Sequence, residues 1–391
     1  MEFEYWWLLG FPLFFGLGWL AARIDIKHLL DESRSLPRSY FKGLNFLLNE
    51  QPDKAIEAFS EVVKIDSETI ELHFALGSLF RRRGETERAI KMHRNLLERS
   101  DLRQEERLEA MSELGQDYLK SGLLDRAEAV FLKLKDSPLR GQALKSLVEI
   151  YQQEKDWLKA IGIAMELERD TGESWQKEIA NYFCERGAHE ATHSMPDEAR
   201  RCLEQALSAN RKCVRANVVL GDILAAAGDH DGAIAAWKRI EQQQPVYLAL
   251  VAQRLLDSHR AVGRVEEGLT LLRGYLANSP SLDLLDVAFQ STLDVHGAEA
   301  AYRLVKNELR RNPTLLGLDK LLEAQILAAP PERRQDLELV RNLVHGHTRR
   351  LARYRCDNCG FKARQFHWHC PACGGWETYP PRRSEEFDLT P

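Results

Sequence analysis

The chain has 391 residues, 44 % hydrophobic and 29 % charged, a balance that supports an ordered core and excludes a disordered chain. Its 54 Lys and Arg against 59 Asp and Glu leave a net charge of −5, which gives no support to a nucleic-acid binder. Seven cysteines, three scattered (Cys184, Cys202, Cys213) and four near the C-terminus, do not form a disulfide framework and suit a reducing compartment.

The first element is apolar. Tyr5 to Ala22 is a run of 18 residues without a charge, and as a helix it would span about 27 Å, close to the thickness of a bilayer core. Trp6, Trp7 and Trp19 lie near its ends, where indole rings favour the membrane interface. A buried core helix is one rival reading. A cleaved signal peptide is another, but it needs a basic start and an A-x-A site, and here Glu2 and Glu4 come first and no such site follows. Residues 1–22 therefore read as an uncleaved transmembrane anchor. Arg23, Lys27, Arg34 and Arg38 all follow it, so the positive-inside rule predicts a body in the cytoplasm. Residues 23–35, where Ile24, Ile26, Leu29 and Leu30 alternate with charges, read as a juxtamembrane connector.

Residues 36–345 carry a repeat. Its clearest unit is Val214–Tyr247, with Leu220-Gly221, Leu224, a turn glycine at Gly228, then Ala233, Trp237, Ile240 and Pro245. Gly221 and Ala233 are small, so two amphipathic helices can approach where they cross, and Pro245 ends the second. The same spacing of 12 recurs in Gly43/Ala55, Gly77/Ala89 and Gly115/Ala127, with turn glycines at Gly84 and Gly122. Phe59 and Phe131 hold the place of Trp237; Tyr118 and Tyr151 hold that of Leu224. This resembles the tetratricopeptide repeat, whose period is about 34 residues. Weaker units fall near 141–173, 174–213, 248–280 and 281–313, and a degenerate pair occupies 314–345 around Pro330-Pro331, about nine hairpins in all. The competing reading is an all-helical globule without repeats. The predicted fold is all-α, a tetratricopeptide superhelix whose first helices line a protein-binding groove.

Phase assigns candidate partner-binding positions to that groove. In the second unit they are Phe74, Ser78, Arg81 and Arg82; Gln116 and Lys120 follow in the third, Asp222 in the sixth, and Asp257 and Arg260 in the seventh. Arg81-Arg82-Arg83 would suit an acidic segment of a partner, against the plainer reading of a solvated charged face.

Residues 346–380 read as a metal module, followed by a tail over 381–391. Cys356-Asp357-Asn358-Cys359-Gly360 and Cys370-Pro371-Ala372-Cys373-Gly374 are two C-x-x-C knuckles. Two intervening residues let a tight turn aim both sulfurs at one point, and the glycine supplies the positive φ the turn needs. Cys356, Cys359, Cys370 and Cys373 thus form a tetrahedral site for one metal ion, zinc by preference and iron as the alternative. His367 and His369 read as surface or packing residues, because four sulfurs already complete the site. The knuckles resemble a rubredoxin-type or zinc-ribbon module, with Phe361 and Trp376 as its small core beside Phe366, Trp368 and Tyr379. It is too small to fold without metal or a neighbour, and so should lean on the array. Arg349, Arg350, Arg353, Arg355, Lys362 and Arg364 make this end basic, which raises a nucleic-acid-binding ribbon as a rival; the patch is small and the chain acidic.

No phosphate-binding loop, dinucleotide fingerprint, zincin or serine-elbow motif is present. Ser39 to Lys42 fits S-x-x-K, a pattern too loose to carry weight. The sequence therefore reads as a non-enzyme.

Anchor, array and knuckles together are similar to the lipopolysaccharide assembly protein B family of Gram-negative bacteria, most distinctively in Tyr354-Arg355-Cys356 through Phe361 and in His367-Trp368-His369-Cys370-Pro371 to Cys373. The resemblance implies an inner-membrane adaptor that brings the deacetylase committing lipid A synthesis to an FtsH-type membrane protease for degradation. It also implies an inner-membrane partner that senses lipopolysaccharide. A rubredoxin-like electron-transfer protein is the alternative from another class.

Overall fold

The computed structural model describes residue 19 and residues 38–49, 51–65, 70–351 and 353–384. Among them, eighteen α-helices follow one another along the chain. The chain divides into two compact units, Met1–Ile150 and Tyr151–Pro391. In the first lie α1 (Arg38–Leu48), α2 (Pro52–Ile65), α3 (Ile70–Arg82), α4 (Thr86–Leu97), α5 (Gln104–Lys120) and α6 (Leu124–Leu134), with most of α7 (Arg140–Glu154). The second holds α8 (Trp157–Thr171), α9 (Gln176–Thr192), α10 (Pro196–Ala209), α11 (Val214–Ala226) and α12 (His230–Gln243). A 3-10 segment, Pro245–Leu250, then leads into α13 (Ala252–Ala261). After it come α14 (Val265–Asn278), α15 (Leu282–His296), α16 (Ala298–Arg311), α17 (Leu315–Ala328) and α18 (Pro331–Leu351). The tetratricopeptide-type reading holds. The apolar run 5–22 and the connector 23–35 lie, except for Trp19, outside the described residues; among the described residues no helix is long and apolar enough to cross a membrane.

One device closes six of the hairpins. The residue five before the small residue of the second helix adopts a left-handed turn, as Gly84, Gly122, Gly228 and Gly263 do (φ 82°, 75°, 82° and 73°). In two hairpins the same position holds Lys155 (φ 59°) and Ser194 (φ 60°). Both belong to units whose repeat signal is weak. The turn is kept although the residue that makes it cheap is absent. Where the turn runs into α8 and α12, the Asp156 and Asp229 carboxylates accept from the Lys159 and Gly232 N–H groups, capping the new helix.

A second device sets the crossing. In five hairpins a side chain of the second helix, sixteen residues after a glycine of the first, lies over that glycine: Phe59 on Gly43, His93 on Gly77, Phe131 on Gly115, Leu203 on Gly187 and Trp237 on Gly221. A Cβ at Gly43 or Gly115 would come within 2.5 Å or 2.7 Å of the phenylalanine ring. At Gly221 the fully buried Trp237 indole fills the space, its Nε1–H donating to the Val218 carbonyl at 3.2 Å. Gly221→Val is therefore expected to lower the stability of the second unit by about 1–3 kcal/mol, the usual cost of overpacking. Urea unfolding followed by helical circular dichroism checks this. An unchanged midpoint would mean that the crossing is not set by this contact.

Inward side chains of the second unit join into one apolar cluster from Val214 to Ala324, and Phe366 and Trp368 of the C-terminal module pack against it. The module is a three-stranded antiparallel sheet ordered β2-β1-β3, made of β1 (Arg353–Arg355), β2 (Lys362–Ala363) and β3 (Arg383–Ser384). Two boundaries differ from the sequence reading. Helix α18 runs to Leu351 and leads almost directly into β1, and β3 lies in the stretch read as a tail from 381. A two-residue edge strand has no periodicity to betray it.

Candidate metal centre

Each knuckle is built by the same pair of backbone bonds. Gly360 N–H donates to the Cys356 carbonyl and Cys356 N–H to that of Phe361, both at 2.9 Å; Gly374 with Cys370, and Cys370 with Gly375, repeat this at 2.9 Å. Gly360 (φ 74°) and Gly374 (φ 68°) make the turns possible. The two turns bring all four sulfurs within 4.8 Å of one another. Cys356 and Cys373 are 3.8 Å apart, and Cys359 and Cys370 3.7 Å. A tetrahedron with sulfurs about 2.3 Å from its centre has edges of about 3.8 Å, so the four residues fit a single ion. Cys356 and Cys370 are buried, whereas Cys359 and Cys373 face solvent.

The surroundings favour negative charge on sulfur. Burial opposes ionisation of Cys356, but the Thr378 hydroxyl and the backbone N–H groups of Cys359 and Asn358 outweigh it and bring the thiol down to about 6. The Gly375 N–H, then the Asn358 amide, hold Cys373 below its ordinary value. Cys359 goes the other way: the Phe361 N–H favours its thiolate, but burial and the three neighbouring sulfurs push it up to about 12. Charge is thus shared unevenly among Cys356, Cys359 and Cys373, an arrangement that a divalent cation would neutralise. Bound there, the ion would supply a structural cross-link between the knuckles.

His367 and His369 pack rather than join the four sulfurs. His367 meets the Tyr379 ring edge-on at 5.7 Å, and His369 lies on Trp376 at 4.5 Å. The core differs from the sequence reading. Tyr354 and Tyr379 form it with Cys356 and Cys370, the Tyr379 hydroxyl donating to the Tyr354 carbonyl at 3.0 Å. Phe361 is exposed. Trp368 and Trp376 turn outward to the array, because a module this small cannot enclose two indoles by itself.

That turning-out builds the second half of the site. Trp376 meets Tyr182 of α9 edge-on at 5.8 Å, and Trp368 stacks on Tyr247 of the 3-10 segment at 5.3 Å with planes 4° apart. The Arg215 guanidinium of α11 lies 5.8 Å and 5.7 Å from the two indole rings while pairing with Glu185 at 2.9 Å. Asn181 donates to the Glu377 carboxylate at 2.9 Å. Burial lifts that carboxyl above its ordinary range, against the pull of the Asn181 bond. Asp283 of α15 accepts from the Tyr354 hydroxyl at 2.9 Å and is clamped by Arg383 at 2.9 Å and 3.2 Å. Every array residue here belongs to a first helix or its entry. Sequence reasoning missed all of them, because their partners lie 71 to 196 residues away. The one available signal was the pair of aromatics flanking the second knuckle.

The positions assigned to a partner are mostly engaged within the chain. Arg81 pairs with Glu113 at 2.5 Å and with the fully buried Asp117 at 2.7 Å. Ser78 reaches Glu113 at 3.4 Å, and half-buried Phe74 lies 6.1 Å from the His93 ring. Gln116 donates to Ser146 at 2.8 Å, and Asp222 is ion-paired with Arg254. These bonds run from one first helix to the next, 30 to 36 residues on. Asp257 and Arg260 are exposed and paired with each other at 3.1 Å; Arg82 and Lys120 are exposed.

With this geometry in hand, kinship can be placed on it. Residues 354–381 match the rubredoxin metal binding domain, and residues 72–108 and 189–247 match tetratricopeptide repeats. Lipopolysaccharide assembly protein B of Escherichia coli (strain K12) is 33 % identical over 376 residues, covering 95 % of this chain and 96 % of that protein. The chain belongs to the lipopolysaccharide assembly protein B family. The protein of that name from Haemophilus influenzae is 30 % identical over 390 residues, covering 96 % of this chain and 98 % of its own. Both relatives thus match this chain along nearly its whole length. A solved structure of Naa15/Naa10 bound to HypK-THB is more loosely similar, at 14 % identity and a TM-score of 0.42 over 80 % of this chain and 54 % of that one.

Proposed function

We propose that this chain is a membrane-tethered, non-enzymatic adaptor in lipopolysaccharide assembly. It brings the lipid A-committing deacetylase to an FtsH-type membrane protease and answers to an inner-membrane partner that senses lipopolysaccharide. The observation that carries this reading is kinship with lipopolysaccharide assembly protein B over 95 % of the chain at 33 % identity. The physical parts agree with it. The apolar run 5–22 is the tether, confining the body to the cytoplasmic face of the inner membrane and raising the effective concentration of anything else held there. The repeat array is a docking surface, with Arg82 and Lys120 as exposed cations for an acidic client segment and Asp257 and Arg260 as a second polar patch. Zinc in the four-cysteine site holds the module on the array.

The test is co-purification. The full chain should retain the deacetylase and the protease, and a chain lacking residues 1–22 should lose the protease while its array stays folded. Equal recovery of both partners by both forms would contradict the tether. A rubredoxin-like electron-transfer reading has one observation in its favour, the solvent-facing Cys359 and Cys373. Metal analysis and a visible spectrum separate the two: reversible iron redox would support electron transfer, and zinc would exclude it.

A further inference from the structure

Two cysteines outside the metal centre form a pair of their own. Cys184 lies on α9 and Cys213 caps α11; their sulfurs are 3.7 Å apart and both residues are fully buried. They lie among the residues on which the module sits. Tyr182 and Glu185 flank Cys184, Arg215 is two residues beyond Cys213, and both Arg215 and module residue Glu377 act on the Cys184 thiol. Burial pushes that thiol well above its ordinary value, and the Cys213 sulfur adds to the effect. While covered, the Cys184 thiol is held neutral and inert, because the thiolate is the nucleophile.

The cover depends on the metal. A module of this size keeps its shape only when its knuckles are cross-linked. The contact between module and array is also incompletely satisfied: Asn181 Oδ1 of α9 is buried without a hydrogen-bond partner. Imperfectly paired polar groups reduce the return from the area buried, so docking rests on the shape that holds Trp368 and Trp376 in place.

We propose that the C-terminal module is a metal-dependent cover over a dithiol, and that loss of the metal opens Cys184 and Cys213 to oxidation by a peroxide. One thiol, as its thiolate, attacks hydrogen peroxide, breaking the O–O bond to give a sulfenic acid and, with the released proton, one water. The second thiolate displaces the sulfenic oxygen, which leaves as a second water, and an S–S bond forms. Two thiols and one peroxide thus become one disulfide and two waters, with two electrons passing from sulfur to oxygen. The sulfurs start in contact, so bonding at about 2.05 Å asks for side-chain rotation and a small shift of α9 against the start of α11. The disulfide would then hold those two elements together where Tyr182 and Arg215 receive the indoles.

The inference rests on the four-cysteine site holding metal, so metal content is measured in the same samples. The full chain, as purified and after chelation, is treated with N-ethylmaleimide, or with hydrogen peroxide and then maleimide, and its peptides are weighed. Buried Cys202 on α10, which makes none of the module contacts described above, reports on the array. Chelation should raise alkylation of Cys184 and Cys213 about ten-fold or more, as local opening does, and leave Cys202 unchanged. Peroxide should then yield a Cys184–Cys213 disulfide only in the stripped sample. Asp283→Ala with Arg383→Ala, which keeps all four metal ligands, should expose the pair partly with metal still bound. Equal reactivity in both samples, an inert pair after chelation, or Cys202 reacting in step would each overturn the cover. A metal-free purified chain that still protects the pair would overturn both the metal centre and the cover, whereas a metal-bearing chain with an unprotected pair would overturn the cover alone.

Discussion

Cys356→Ser combined with Cys359→Ser should abolish metal binding and, with it, the fold of residues 353–384. Structural zinc in small modules is worth about 10–16 kcal/mol of apparent binding free energy at neutral pH, far more than the core of Tyr354, Tyr379 and two cysteines can replace. The loss should spread. Trp376 is 4 % exposed in the docked state and Trp368 stacks on Tyr247, so tryptophan emission should shift to the red. Helical circular dichroism should change little, because the array has its own cluster. Elemental analysis, emission and circular dichroism on one sample settle it. Native emission in a metal-free double variant would show that the array alone holds the module.

The second large effect belongs to Asp117, which is fully buried and accepts from His93 Nδ1 at 2.5 Å and from Arg81 at 2.7 Å. Breaking a buried charged network costs about 3–5 kcal/mol; without Asp117, Arg81 keeps only Glu113 and the buried His93 Nδ1 loses its carboxylate. Asp117→Ala should therefore destabilise the first unit by that amount, measured as a fall in the urea midpoint. Arg81→Ala should cost less, because it removes the cation and leaves Asp117 bonded to His93. A smaller loss for Asp117→Ala than for Arg81→Ala would show that the carboxylate is not the centre of the network.

These two sites show what a sequence discloses. The knuckles are local: two turns of five residues carry both the chemistry and the geometry, so Cys356, Cys359, Cys370 and Cys373 could be read directly. The hairpins are periodic, and Gly221 under Trp237 is the same event as Gly43 under Phe59. His93 occupies that aromatic position and was not recognised, because its partner Asp117 belongs to the next hairpin. Lys155 and Ser194 hid two turns by filling a glycine position without being glycine. Phase alone put Arg81, Gln116 and Asp222 on the first-helix face. It could not say that each reaches the neighbouring first helix, because that requires the crossing geometry. The docking of Trp368 and Trp376 was invisible for the same reason: contacts spanning more than a hundred residues leave no spacing to read.

The turnover of the deacetylase tests the proposed adaptor role most directly. In cells depleted of the native protein, deacetylase decay after translation is stopped should be restored by the full chain. It should remain slow with the chain lacking residues 1–22 and with the Cys356→Ser, Cys359→Ser double variant. Normal decay in cells carrying either variant would contradict a tethered adaptor whose metal module is required.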